Sequence, residues 1–436
     1  MRYAIAAVLA SCFACLAGAQ PHPCPADTNV DGQLTSADFT SWIFAYNTGV
    51  VAIADQNGDG LATPTDFSAW IANYNAGCDF TDDDGDRIPT IYENNTGISG
   101  PAYATGTDPF NPDSDGDNIE DGDEAYGTID GLDLPGMGAD ANHKTIFIEI
   151  DWTDDSWDTA FHSHRPRPGM ESRIVAAFAN APLTNPDGQT GVDLILDYGQ
   201  GGLFDGGEEL FVGQNIHYLL FSDALTYRDT YMDQRRRGIF HYGIFTHQYN
   251  SEFNFSSGVA YLFSDVFYVT IYQYWADDVA ASNTLMHELG HNLGLHHGGD
   301  EPRNYKPNYN SVLNYKFQFP GIDLDCDGSG DGVLDYSRGL NADLVESALV
   351  EADGICGVPI DWSQNGIIDP GTVAFNINCQ SLSQLNFCGS TGSCYDDTCD
   401  TLRDTNDWAI LHFLGQARTP NPERIDCNNP HPMLNR

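Results

Sequence analysis

His287-Glu288-Leu289-Gly290-His291-Asn292-Leu293-Gly294-Leu295-His296-His297 is the stretch on which the reading of this chain turns. On a helix of about 3.6 residues per turn, residues four apart share a face, so His287 and His291 can hold one metal ion between them. Glu288 lies beside them, and its carboxylate can reach the same opening without being a ligand and accept a proton from water on the metal. Gly294 stands where the helix needs a residue that tolerates positive φ in order to turn. His297 then returns as a third ligand. Three neutral imidazoles with an open fourth position are what catalytic zinc uses, whereas structural zinc is closed by four protein ligands. At ordinary residue frequencies the His-Glu-x-x-His core arises by accident in on the order of one chain in a hundred of this length, and requiring Gly294 and His297 lowers that roughly several hundredfold.

The set His287, Glu288, His291, Gly294, His297 resembles the zinc signature of the metzincin metallopeptidases, which pair it with a downstream turn containing a Met beneath the metal. Ser311-Val312-Leu313-Asn314-Tyr315 falls where that turn belongs, with Leu313 in place of Met. Leu is a near-isosteric apolar replacement, compatible with activity, and the change leaves the subfamily open. Tyr315 matches the Tyr that astacin-like and serralysin-like members place near the zinc. The resemblance implies a phenol that ligates at rest or donates to the developing oxyanion; the other reading of Tyr315 is an ordinary core tyrosine. It also implies zinc as cofactor, Glu288 and Tyr315 as catalytic residues, and an α+β catalytic domain with a twisted mixed sheet and an active-site helix.

Residues 1–19 carry Arg2, an apolar run from Tyr3 to Leu16 and then Ala17-Gly18-Ala19, the three-part form of a secretory signal with cleavage expected before Gln20. Leu9-Ala10-Ser11-Cys12 also admits a lipoprotein-processing reading. No other segment reaches the length of a membrane span, so a soluble, exported protein is expected. The formal charge of -45, from 63 acidic and 18 basic residues, excludes nucleic acid as a partner. With 12% aromatic and 41% hydrophobic residues, the chain can still bury real cores.

The acidic residues recur in a pattern. Asp27, Asn29 and Asp31, with Gly32 and a closing Asp38, are repeated as Asp55, Asn57 and Asp59, with Gly60 and a closing Asp66. Each set places oxygen ligands at positions 1, 3, 5 and 12 of an EF-hand calcium loop, with Gly at 6 for the sharp turn and Asp in place of the usual terminal Glu. The helix after each loop repeats as well: Phe39, Trp42 and Tyr46 correspond to Phe67, Trp70 and Tyr74, an aromatic stripe that lets two short helices pack together. This duplicated loop and helix resembles a type I dockerin, a small all-α, EF-hand-like module that folds on calcium. The resemblance implies a cohesin-like domain as partner. Cys24 and Cys78 bracket the pair and are expected to form a disulfide in an oxidising compartment.

Asp113, Asp115, Asp117, Asp121 and Glu124 form a run of alternating carboxylates, and residues 82–93 hold a degenerate version. These runs resemble thrombospondin type 3 calcium repeats. Without a cation such carboxylates repel one another, and calcium would stiffen the segment into a spacer; the other reading is a disordered acidic linker.

From Lys144 the texture is that of a globular enzyme. Strands are expected at residues 145–151, 192–197, 240–247 and 263–272, and helices at 171–181, 277–295 and 406–414, the last packing under the active site. Asp323, Asp325, Asp327, Asp331 and Asp335 suggest another calcium loop, with Asp361, Asn365 and Asp369 a weaker one. Cys326, Cys356, Cys379, Cys388, Cys394, Cys399 and Cys427 leave one thiol free or paired elsewhere, with connectivity open. The chain thus divides into a signal peptide (1–19), a dockerin-like repeat (20–78), an acidic calcium-loop linker (79–141), a metallopeptidase core (142–320) and a Cys-rich region (321–436) that contributes to the catalytic domain.

The expected function is a secreted zinc endopeptidase in which zinc activates water and Glu288 is the general base. Two alternatives stand beside it: a calcium-dependent anchoring or structural protein with a catalytically dead zinc site, and zinc hydrolysis of a non-peptide bond.

Overall fold

The computed structural model describes residues 23–100, 104–155, 162–211, 218–251, 256–270, 277–380, 384–389, 394–414 and 423–427. The expected signal peptide, with the processing site at Cys12, lies outside them.

The architecture is mixed α and β, built on one eight-stranded mixed sheet. Strand β1 (Thr145–Asp155) begins where the sequence places it and runs farther. It pairs in parallel with β2 (Asp193–Asp197) on one side and β3 (Phe240–Thr246) on the other. Strand β5 (Val266–Thr270) continues the sheet parallel to β3. Two antiparallel strands follow outward, β4 (Gly258–Tyr261) on β5 and then β6 (Arg424–Cys427) on β4. The near-continuous apolar texture of β1, β3 and β5 follows from burial on both faces. Alternate side chains divide between two cores, with Ile146, Ile148, Ile150, Phe267 and Val269 on one face and Phe147, Tyr242, Ile244, Val266 and Tyr268 on the other.

The first core is covered by helices α3 (Pro168–Ala179) and α4 (Asp278–Asn292). Pro168 starts α3 at a position where its missing N–H costs nothing. Asp277 caps α4 by accepting from the amides of Val279 and Ala280, which fixes where the metal-signature helix begins. The second core includes Ile119, Leu132, Leu134 and Met137, so the latter part of the acidic segment is folded against the sheet instead of standing off as a spacer. The amide of Thr145 at the start of β1 donates to Asp117 (2.5 Å), which anchors the acidic run to the central strand.

Near the N-terminus, helices α1 (Ser36–Thr48) and α2 (Pro64–Ala76) each open with a Thr-to-Asp capping box, Thr35 with Asp38 and Thr63 with Asp66. The aromatic stripes face each other, with Phe39 against Trp70 and Trp42 against Phe67. The indole of Trp42 donates to the carbonyl of Ala54 before the second loop, and that of Trp70 to Ala26 before the first. The sequence repeat therefore becomes a reciprocal pair, stapled by the Cys24–Cys78 disulfide.

Two local expectations need correction. The strand expected at residues 263–272 begins only at Val266, and residues 271–272 lie outside the described ones: Phe263 has φ 51° and sits in the turn between β4 and β5, because Ser264 and Asp265 break the apolar run and reverse the chain. The helix expected at 406–414 shrinks to a single 3-10 turn, Asp407–Ile410. There the buried carboxylate of Asp407 binds the hydroxyl of Tyr309 (2.8 Å) and the amide of Ser337 (3.0 Å), so tertiary bonds outrank the helical period.

Burial pushes the carboxyl of Asp407 up to about 7, against the opposing hydrogen bonds of Ser311, Tyr309 and Ser337. A raised folded pKa means that this group's stabilisation is complete below the unfolded value and is lost as pH rises through about 7. Asp407→Asn, neutral at every pH, should therefore gain on the wild type between pH ~5 and pH ~8. Denaturation midpoints of both proteins at the two pH values check this. An identical difference at both would show that Asp407 is an ordinary carboxylate.

Candidate metal and catalytic site

Helix α4 is polar in sequence yet buried along most of its length, including Asn283, Thr284, His287, Glu288, His291 and Asn292. Burying so many polar groups is costly unless each is paired, and the pairing defines the site. The Nδ1 of His287 faces the carbonyl oxygen of Val312 at 2.8 Å, and the Nδ1 of His291 faces that of Leu295 at 2.6 Å. A carbonyl only accepts, so each Nδ1 carries the proton and each Nε2 keeps its lone pair. The two Nε2 atoms are 3.2 Å apart. With no proton available to either, two lone pairs at that distance repel unless a cation lies beside them. Burial holds His287 down at about 4 and displaces His291 and His297 in the same direction, which keeps the three rings neutral.

His297 completes the set. Gly294, at φ 95°, turns the chain at the end of α4, and a Cβ there would collide with the ring of Phe263. The ring centroid of His297 then comes within 5.2 Å of His287 and 4.8 Å of His291. One donor atom from each of the three histidines, together with the sulfur of Cys427, all lie within 4.8 Å of one another. Imidazole with thiolate is a donor set that suits zinc.

Glu288 is fully buried beside them, with Oε1 lacking a hydrogen-bond partner and Oε2 3.3 Å from the sulfur of Cys427. Burial raises its pKa. Gly258 on β4 makes room for this carboxylate, since a methyl group there would overlap Oε1. Leu313 lies in the core under α4, where a Cβ on Gly290 would stand only 2.9 Å from its Cδ2 and 3.1 Å from the hydroxyl of Tyr336. Tyr315 packs on His297 with ring centroids 4.4 Å apart, and its phenol donates to the carbonyl oxygen of Asp426 at 3.2 Å. All residues of the signature are therefore brought together, with Tyr315 beside them.

Sequence reasoning did not find Gly258 or Cys427. Gly258 carried no motif. Cys427 was visible only as the odd thiol, once Cys326–Cys356, Cys379–Cys394 and Cys388–Cys399 are paired.

The acidic loops form cups. In the first, Asp27, Asp31 and Asp38 bring one oxygen each within 4.8 Å of one another, while Asn29 turns its amide to Asp31 (2.7 Å). In the second, Asp55 accepts from the amides of Gly58, Asp59 and Gly60, Asn57 accepts from the amide of Asp59, and Asp66 accepts from Gln56 and Thr63. Asp113, Asp115 and Asp117 form a third group. Asp121 is held by Ser114, and both carboxylate oxygens of Glu124 are buried without a hydrogen-bond partner. A further group, Asp86, Glu93 and Asp121, joins the two acidic runs. Its signal was in the sequence: Glu93 stands to Asp82 as Glu124 stands to Asp113. Burial pushes Asp86 up to about 7 and Glu93 up to about 8. Asp335, by contrast, leaves the loop at residues 323–331 and binds the indole of Trp408 (2.9 Å) and the guanidinium of Arg338 (3.0 Å).

No protein-family model matches the chain, and no curated protein matches it. Among the described residues, no helix is long and apolar enough to cross a membrane.

Because Gly290 lies against Leu313 and Tyr336, Gly290→Ala is expected to destabilise by about 1–3 kcal/mol through overpacking. Leu313→Met, a volume-conserving change, should cost less than about 1.5 kcal/mol. Chemical denaturation of the two variants distinguishes them; equal costs would mean that the space under α4 is not the constraint.

Proposed function

We propose that the chain is an exported zinc-dependent endopeptidase of the metzincin type. The observation that carries the proposal is the convergence of three imidazole nitrogens, two with their tautomer set by backbone carbonyls, beside a buried carboxylate that has one oxygen unpartnered. His287, His291 and His297 are the residues that would hold the metal. Zinc bound there supplies Lewis acidity, lowering the pKa of water toward neutrality and polarising the scissile carbonyl. Glu288 takes the proton of the attacking water and passes it to the departing amine, and its burial keeps its basicity high enough for that task. Tyr315, which already donates to a peptide carbonyl beside the imidazoles, donates to the substrate carbonyl oxygen as negative charge develops on it. Export accords with the four disulfides, which persist in oxidising compartments.

The same proposal gives calcium to the acidic loops and makes the paired loop-helix unit a calcium-folded attachment module for a cohesin-like partner. Buried carboxylate oxygens without partners, as at Asp86, Glu93 and Glu124, are stabilised by a bound cation far more than exposed ones.

Three measurements test this reading. Glu288→Ala should keep about one zinc per chain and lose at least about 10²–10⁴-fold in cleavage of a peptide library; undiminished cleavage would sink the assignment. Calcium at about 100 times its Kd should stabilise the protein by about 2.7 kcal/mol per site, read as a fall in the melting temperature on chelation. Glu124→Gln should reduce the bound calcium without altering the sites at residues 27–38 and 55–66. A melting temperature indifferent to chelator would remove calcium from the account.

A further inference from the structure

Strand β6 is short and has a peculiar seat. It lies antiparallel on β4, placing Cys427 opposite Gly258, the residue that makes room for Glu288. The sulfur of Cys427 is 3.3 Å from the Nε2 of His291, 3.7 Å from the Nε2 of His297 and 3.3 Å from Oε2 of Glu288. It is the one cysteine outside a disulfide among the described residues, and it is buried. Without β6, strand β4 would be the free edge of the sheet beside the imidazoles. An extended peptide binds such an edge by adding a strand, with main-chain hydrogen bonds giving affinity. Strand β6 makes those bonds now, since the carbonyl of Cys427 accepts from the amide of Ser257 (3.2 Å) and that of Glu423 from the amide of Leu262 (2.7 Å).

We propose that Cys427 is a fourth metal ligand and that β6 occupies the peptide-binding edge of its own active site, holding the enzyme latent until the strand withdraws. The inference rests on the zinc reading above. Three imidazoles and a thiolate close the coordination that catalysis needs open, and the thiol proton is released as the sulfur binds. The same strand also engages Tyr315 through the carbonyl of Asp426, so the phenol, Glu288 and the metal are blocked together.

Withdrawal leaves the two cores intact, because neither Ile425 nor Cys427 belongs to the hydrophobic clusters flanking the sheet. The other holds on β6 are peripheral. Tyr249 donates to the side chain of Asp426 (2.9 Å), and the Arg424 guanidinium lies over the rings of Phe221 and Tyr249. Beyond its ladder with β4, the strand is therefore held at the site by the sulfur, and release requires both to part.

The test uses the full chain loaded with zinc or cobalt(II). Cobalt-loaded wild type should show the near-ultraviolet thiolate-to-cobalt charge-transfer band, and Cys427→Ser should lack it while retaining one metal. Iodoacetamide should label Cys427 slowly in the zinc form and rapidly after chelation, read by peptide mapping. Peptide cleavage by Cys427→Ser should rise about tenfold or more, the factor carried by ~1.4 kcal/mol of displaced contacts. Metal bound by both proteins with no thiolate band and with labelling indifferent to zinc would overturn the fourth ligand. Loss of metal from Cys427→Ser with no gain in cleavage would make the site structural and overturn latency. A wild type that binds no metal at all would instead defeat the zinc reading on which both depend.

Discussion

Two imidazole nitrogens of fully buried histidines face each other at 3.2 Å, and much of the surrounding structure exists to keep them there. The backbone carbonyls of Val312 and Leu295 fix the tautomers. The first comes from the turn that carries Leu313 and Tyr315, the second from the chain reversal at Gly294. Helix α4 could not bury this row of polar side chains in an apolar core without such partners, since each unpaired buried group costs on the order of 1–3 kcal/mol. The turn below α4 and the reversal after it are thus conditions for burying the helix, and the opening between the rings is what remains for a cation.

The sheet answers a different need. Strands β1, β3 and β5 are parallel and buried, which makes them rigid but leaves them no edge to offer a ligand. The reversal of direction at β4 supplies that edge. Gly258 sits on it, against Glu288, so one strand both pairs with β6 and accommodates the buried carboxylate. A side chain at position 258 would force those two roles apart.

How much of this was legible in the sequence depended on whether a feature is local. The histidine spacing, the start of the signature helix near Asp277 and the repeated aromatic stripes are set within one or two helical turns, and each appears where the sequence pattern placed it. Phe263 and the segment at residues 406–414 were misread because long-range contacts decide them: the hairpin that brings β4 beside β5, and the bonds of Asp407 to Tyr309 and Ser337. The acidic segment had the clearest pattern and the least predictable placement. Nothing in alternating carboxylates reveals that Asp117 will cap the first strand of the sheet or that Ile119 will enter its core.

Cysteine parity shows the same limit from the other direction. Seven cysteines after residue 320 require an odd one, yet parity carries no position. Three disulfides pair residues 30, 15 and 11 apart in sequence, all within the Cys-rich region. Cys427 instead crosses to a site whose histidines lie more than a hundred residues earlier, with separations of 136 and 130 from His291 and His297. Had it been a structural staple, the economical partner would have been another cysteine nearby. Its placement against three imidazoles and a carboxylate requires a specific strand, β6, to be laid on a specific edge, β4. That strand contributes little to either hydrophobic core, so packing alone gives weak reason for it to be there. What the position does offer is chemistry: a soft sulfur donor 3.3 Å and 3.7 Å from two imidazole nitrogens.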